Sequence, residues 1–112
     1  MTCSPGDLIL IPFPFSDLKA TKKRPVLALT SPDRHGDFIG LAVTSVPQPP
    51  PNRLIDTTHL SMGNLPKVSW VRVDKVFTLD HRLMVNALGR VNTITLEQIL
   101  AALCDQIGYG GT

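Results

Sequence analysis

The chain has 112 residues, 43% of them hydrophobic and 18% charged, which fits one small globular domain over 1–112 and excludes both a disordered tail and a large barrel enzyme. The net charge of +2 permits an anionic partner without requiring one. Eight glycines and ten prolines favour short strands between turns over long helices.

Gly6-Asp7 opens the apolar run Leu8–Ile11, which reads as a buried strand ended by Pro12-Phe13-Pro14-Phe15. Ser16 to Lys23 is polar and reads as a loop. Arg24-Pro25 leads into a second strand, Val26–Thr30, with Pro25 at its start, where a missing N–H matters least. Ser31 to Asp37 is a turn region, and Phe38–Ser45 is a third, central strand. Four prolines between Val46 and Asn52 make that segment an extended loop. Arg53–Thr57 reads as a short strand and Gly63–Pro66 as a break. Val68–Val73 alternates, which predicts a strand with Val68, Trp70 and Arg72 on one face and Trp70 in the core. Phe77–Val85 includes a helical turn, and Asn86–Val91 is a last strand with a bulge at Gly89. The final segment is the one helix: Leu96, Ile99, Leu100, Leu103 and Ile107 form a stripe, Asn92, Thr93 or Thr95 caps its start, and Gly108 stops it. Six or seven short strands and a terminal helix predict a mainly β fold, a small barrel closed by that helix.

Cys3 and Cys104 lie at opposite ends of the chain, with no CxxC, so they read as small hydrophobes and not as a disulfide or zinc framework. The start of the chain does not resemble a signal peptide, and no stretch approaches the roughly 20 apolar residues of a membrane span. A reducing cytoplasm is the expected location.

Three clusters bear chemistry. Lys19, Lys22, Lys23 and Arg24 place four cations within six residues, a pattern that suits a phosphate backbone and also suits a solvated loop. Arg24 is set apart by Pro25, which stiffens the base from which a bidentate guanidinium is presented. Thr44-Ser45 ends an apolar strand with two hydroxyls, able to donate to a phosphoryl oxygen or simply to close a turn. Ser69–Asp80 carries Arg72, Asp74 and Lys75, exposed groups that either read base edges or form a surface ion pair. Of the histidines, His35 lies in a polar turn, His81 shares no motif with the others, and His59 is the best candidate acid or base. HExxH, GxGxxG, P-loop and GxSxG motifs are absent.

The segments Gly6–Phe15, Lys23–Leu29, Ala42–Ser45, Leu65–Lys67, Ser69–Arg72, Asp74–Asp80 and Leu88–Arg90, in that order, resemble the MazF/PemK toxin family, and its PemK-like branch most of all. The resemblance spans nearly the whole chain. It implies an SH3-like barrel, a homodimer, and the toxin half of a type II toxin–antitoxin pair. The implied activity is endoribonuclease cleavage of single-stranded RNA, without metal or other cofactor, leaving a 2′,3′-cyclic phosphate and a 5′-hydroxyl. The implied catalytic residues are Arg24 and Thr44. Asp74 and Lys75 are the RNA-contacting pair that the resemblance implies, and Lys22, Lys23, Ser45 and Arg72 are the further RNA-binding residues expected from the clusters above. The expected partners are RNA and an antitoxin whose acidic, partly disordered segment lies over the RNA groove. Two departures touch base recognition: the first loop, Asp17–Lys23, is not Gly-rich, and Lys75 stands where some relatives carry Gln. Rival readings are a gyrase-poisoning toxin of the same fold, a non-catalytic RNA- or protein-binding barrel, and a ribonuclease built on His59.

Overall fold

A computed structural model of the chain describes residues 2–13 and 22–109, the side chain of Phe13 excepted. Its strands are β1 (Asp7–Phe13), β2 (Lys22–Ala28), β3 (Asp37–Thr44), β4 (Arg53–Ile55), β5 (Leu60–Gly63), β6 (Ser69–Asp80) and β7 (Asn86–Val91). A single α-helix, α1 (Thr93–Ile107), ends the described chain, and 3₁₀ turns lie at Thr57–His59 and His81–Leu83. The strands form one antiparallel sheet in the order β4-β6-β3-β2-β1-β7-β5, curled into a half-barrel. No helix among the described residues is long and apolar enough to cross a membrane.

The apolar runs of β1 and β2 are unbroken because both faces of these strands are buried. Leu8 and Leu27 point into one core with Leu41, Val43, Val71, Val73 and Ile99 of α1. Ile9, Ile11, Val26 and Ala28 point the other way, into a second core with Cys3 and Phe38. Each fully buried Leu, Ile or Val contributes about 1.5–3 kcal/mol from removed apolar surface. Burial also pushes the Cys3 thiol above its usual range, in keeping with its role as a small hydrophobe.

Both prolines expected at strand ends are inside strands. β1 continues past Ile11, with Pro12 opposite Lys23, and β2 begins at Lys22, with Pro25 opposite Leu10. The reason is local. β7 follows β1 only as far as Leu10, and β3 joins β2 only from Val26, so each proline sits where its strand has one neighbour and one side needs no donor. Lys22 and Lys23 are therefore strand residues; the rest of the expected polar loop, Lys19 included, lies outside the described residues, as do Pro14 and Phe15.

β6 is longer than expected, at 12 residues. Its pairing with β3 jumps from Leu41↔Val76 to Val43↔Val71, so Arg72 to Lys75 form a bulge. Trp70 is half-buried, not core: Ser69, Val71 and Val73 take the inner face, which turns Trp70 and Arg72 outward. Val68 lies outside the strand and is exposed. Alternation correctly put Trp70 and Arg72 on one face, but apolar residues on both faces hid which face was inner.

β5 has no sequence signal of its own. It is a short edge strand against β7, and the approach is close at the Gly63↔Gly89 pair. A Cβ on Gly89 would lie 2.5 Å from the Met62 carbonyl oxygen, and one on Gly63 would strike the Leu88 carbonyl. The expected irregularity near Gly89 is present, since β1 pairs Leu8 with Gly89 and then Ile9 with Ala87. In α1, Asn92 Oδ1 accepts the Thr95 N–H at 2.8 Å and Gly108, at φ 79°, closes the helix. The buried stripe is Thr95 and Ile99 flanked by Leu96, Ala102 and Leu103; Leu100 and Ile107 fall outside it and are exposed.

Candidate functional site

β2 and β3 run together from Ala28↔Gly40 to Val26↔Ala42 and no further. Continuing that register by two residues sets Arg24 opposite Thr44, but the strands have separated there. The gap is a cavity of about 390 Å³. Lys22, Lys23, Arg24 and Pro25 line it from β2, and Val43, Thr44, Ser45 and Val46 from β3 and its exit. Leu10 of β1, Leu88 of β7 and the segment Leu65–Lys67 with Ser69 complete it.

Sequence position thus converts into a shared site. Arg24 is half-buried, and its two lysine neighbours are exposed. Among the described residues no carboxylate lies within ion-pair distance of Arg24, Lys22 or Lys23. Thr44 Oγ1 accepts the Val46 N–H at 3.1 Å, which fixes the hydroxyl at the strand exit and leaves its own O–H to donate. Ser45 is exposed beside it. The cavity therefore gathers a fork of guanidinium donors, a hydroxyl donor and three lysines around apolar walls. Such a set can hold a phosphodiester by its non-bridging oxygens.

The other expected residues lie elsewhere. Arg72 and Asp74 are not among the described residues lining the cavity. They bind each other in a two-pronged pair, Nε–Oδ1 at 3.1 Å and Nη2–Oδ2 at 2.9 Å. The Arg72 hydrogen bonds hold the Asp74 carboxyl below its usual range. The bulge that carries them is pinned by Asn52, whose Oδ1 accepts the Val73 N–H at 3.0 Å. Lys75 is exposed on the same bulge.

His59 is built into a capped turn. Asp56 accepts the Thr58 N–H at 2.9 Å, and His59 Nδ1 accepts the Asp56 N–H at 3.0 Å, a reciprocal capping box. Hydrogen bonds from the Thr58 hydroxyl and N–H hold the Asp56 carboxyl below its usual range. The His59 carbonyl accepts the Asn92 N–H at 2.8 Å, so the turn also seats the start of α1. His59 does not line the cavity.

Lys67 and Ser69 line the cavity and were not singled out from sequence. Lys67 lies in a coil without periodicity and is marked only by its resemblance segment, while Ser69 falls in the alternating run of β6, whose pattern gives it no role.

The class of protein is a curled antiparallel half-barrel with a cationic cavity where β2 and β3 part. The chain matches the model of the PemK-like, MazF-like toxin of type II toxin–antitoxin systems over residues 4–107, and it belongs to that family. It is similar to a MazE–MazF complex from Deinococcus radiodurans, with TM-score 0.75 and 20% identity over 98% of this chain and 99% of that one. It is also similar to an endoribonuclease in complex with its cognate antitoxin from a mycobacterial species, with TM-score 0.74 and 18% identity over 98% and 97%. The Mycobacterium tuberculosis toxin MazF-mt6 gives TM-score 0.72 at 14% identity, over 94% and 99%. At these identities the likeness is one of fold. Among curated protein sequences, none matches the chain significantly.

Proposed function

We propose that this toxin is a metal-independent endoribonuclease that cuts single-stranded RNA at short sequences in the cytoplasm. The observation that supports it is the placement of Arg24 and Thr44 on the walls of one cavity. In this reading the RNA's own 2′-hydroxyl attacks the adjacent phosphorus and the bond to the 5′-oxygen breaks. The products are a 2′,3′-cyclic phosphate and a 5′-hydroxyl: the 2′-hydroxyl gives its proton to solvent water, and the leaving 5′-oxygen takes one up from solvent. Arg24 donates two N–H groups to the non-bridging oxygens as charge builds, and the Thr44 hydroxyl donates a third. A guanidinium stays protonated at neutral pH, so Arg24 acts by electrostatics rather than as a base. Neither His59 nor Asp74 lines the cavity, so this reading gives them no proton transfer. Lys22, Lys23 and Ser45 bind the backbone on either side, while Arg72, Asp74 and Lys75 meet the strand where it passes over the β6 bulge.

Unpaired RNA is required because the 2′-hydroxyl must swing in line with the leaving oxygen, which a duplex resists. The same cations, without a carboxylate partner among the described residues, suit an acidic, partly disordered antitoxin segment laid across the cavity. A homodimer completes the reading, on the family resemblance.

The test is purified toxin, free of antitoxin, with mixed-sequence single-stranded RNA in EDTA, beside Arg24→Ala. Discrete fragments with 5′-hydroxyl ends that vanish in the variant support the reading. Intact RNA at high concentrations of folded protein would sink it in favour of a non-catalytic binding barrel.

A further inference from the structure

The cavity lining divides by chain segment. The β2 and β3 segments supply Lys22, Lys23, Arg24, Thr44 and Ser45, the groups suited to a phosphate. The segment Leu65-Pro66-Lys67, with Leu88 beside it on β7, supplies an apolar surface of the kind a base face rests against. This wall is fixed. Leu65 is buried, and its N–H is bound by Thr57 Oγ1 at 3.2 Å. The Thr57 hydroxyl lies 3.1 Å from both the Leu65 carbonyl oxygen and Asn64 Oδ1, either of which takes its proton. The Lys67 carbonyl accepts the Ser69 hydroxyl at 3.0 Å, which commits the only other polar side chain of that stretch to the backbone. Lys67 is exposed, lines the cavity, and has no acceptor for its ammonium among the described residues. Polar discrimination on this wall falls to a group that only donates.

We propose that Lys67 is a specificity-determining residue that reads the edge of a base lying next to the bound phosphate and favours guanine or uracil. These bases carry a carbonyl oxygen (O6 or O4) where adenine and cytosine carry an amino group, and an ammonium attracts the first and repels the second. The assignment rests on the RNA reading of the site given above. It is independent of whether the RNA is then cut.

The experiment measures binding of short single-stranded oligonucleotides in which fluorine replaces each 2′-hydroxyl, so that cleavage through that group is blocked. One set contains only uracil and guanine, the other only adenine and cytosine. Wild type favours the first set about fivefold, the lower end of the discrimination a good base contact provides. Lys67→Arg keeps the preference, Lys67→Ala loses it, and Lys67→Glu, an acceptor, reverses it. The side chain is exposed, so these variants fold; circular dichroism checks this. A wild type without preference overturns the proposal. So does an equal fall for both sets in Lys67→Ala, which would make Lys67 a backbone contact. Cleavage of ordinary RNA in EDTA is scored alongside. A preference that follows Lys67 without cleavage removes the nuclease and leaves the base reader; cleavage without any such preference does the reverse.

Discussion

Arg24 and Arg72 are both half-buried strand arginines, yet they stand in opposite electrostatic situations. Arg72 is held at two points by Asp74, and its bulge is tied down by Asn52. Arg24 looks into a cavity with further cations and a hydroxyl, and no described carboxylate pairs with it. A paired guanidinium has spent its donors on the fold, whereas an unpaired one keeps them for an anion. His59, with Nδ1 occupied by the Asp56 N–H, belongs with Arg72 in this respect. On the proposed function, Arg24 holds the reacting phosphate, while Arg72, partly committed to Asp74, meets the passing strand.

This contrast is open to direct attack. Arg24→Ala should lower cleavage in EDTA by roughly 10²–10³, with the melting temperature little changed, because no ion pair among the described residues is lost. Arg24→Lys keeps the charge but not the fork; near-full activity in that variant would show that two-point recognition is irrelevant. Thr44→Ala should fall at the lower end, roughly 10², and Thr44→Ser should recover most of it. Next come Lys22→Ala and Lys23→Ala, which should weaken RNA binding and reduce its salt slope by about 0.7 per lysine, read from titrations at several ionic strengths. His59→Ala should leave the cleavage rate within a few-fold and lower the melting temperature through the lost cap; a collapse of activity in a folded variant would restore the histidine reading. The smallest effect concerns acid stability. The folded Asp74 carboxyl titrates below its unfolded value, so its pair with Arg72 contributes stability above about pH 4 and loses it as pH falls through the depressed folded pKa. Asp74→Asn should therefore flatten the acid limb of a melting profile without moving the neutral cleavage rate by more than a few-fold.

How far the sequence alone reached is instructive. The terminal helix was legible to the residue at its end, Gly108, and to within a few residues at its start, where Asn92 proves to be the cap among Asn92, Thr93 and Thr95. The strand core was legible because runs such as Leu8–Ile11 need burial on two faces. The convergence of Arg24 and Thr44 came from resemblance, as no local pattern says that two strands 20 residues apart share a cavity. Trp70 was misplaced because both faces of β6 carry apolar side chains, so alternation set its period but not its phase. Pro25 was misplaced because proline's rule depends on neighbours, and a sequence does not display which side of a strand is empty. Lys67 carries no role in the sequence reading because its segment has no period and entered only through resemblance; the fold shows that it lines the cavity.

The parting of β2 from β3 bears on how such a protein tolerates improvement. Pro25 has no N–H, and the ladder to β3 begins one residue later, at Val26. A residue with a donor there would invite the two strands to zip onward across Arg24 and Thr44. Selection for thermal robustness, in the laboratory or in nature, would reward that closure and erase the site. If the proposed site is the working one, the incomplete sheet is its open state, and durability and activity pull on the same backbone in opposite directions.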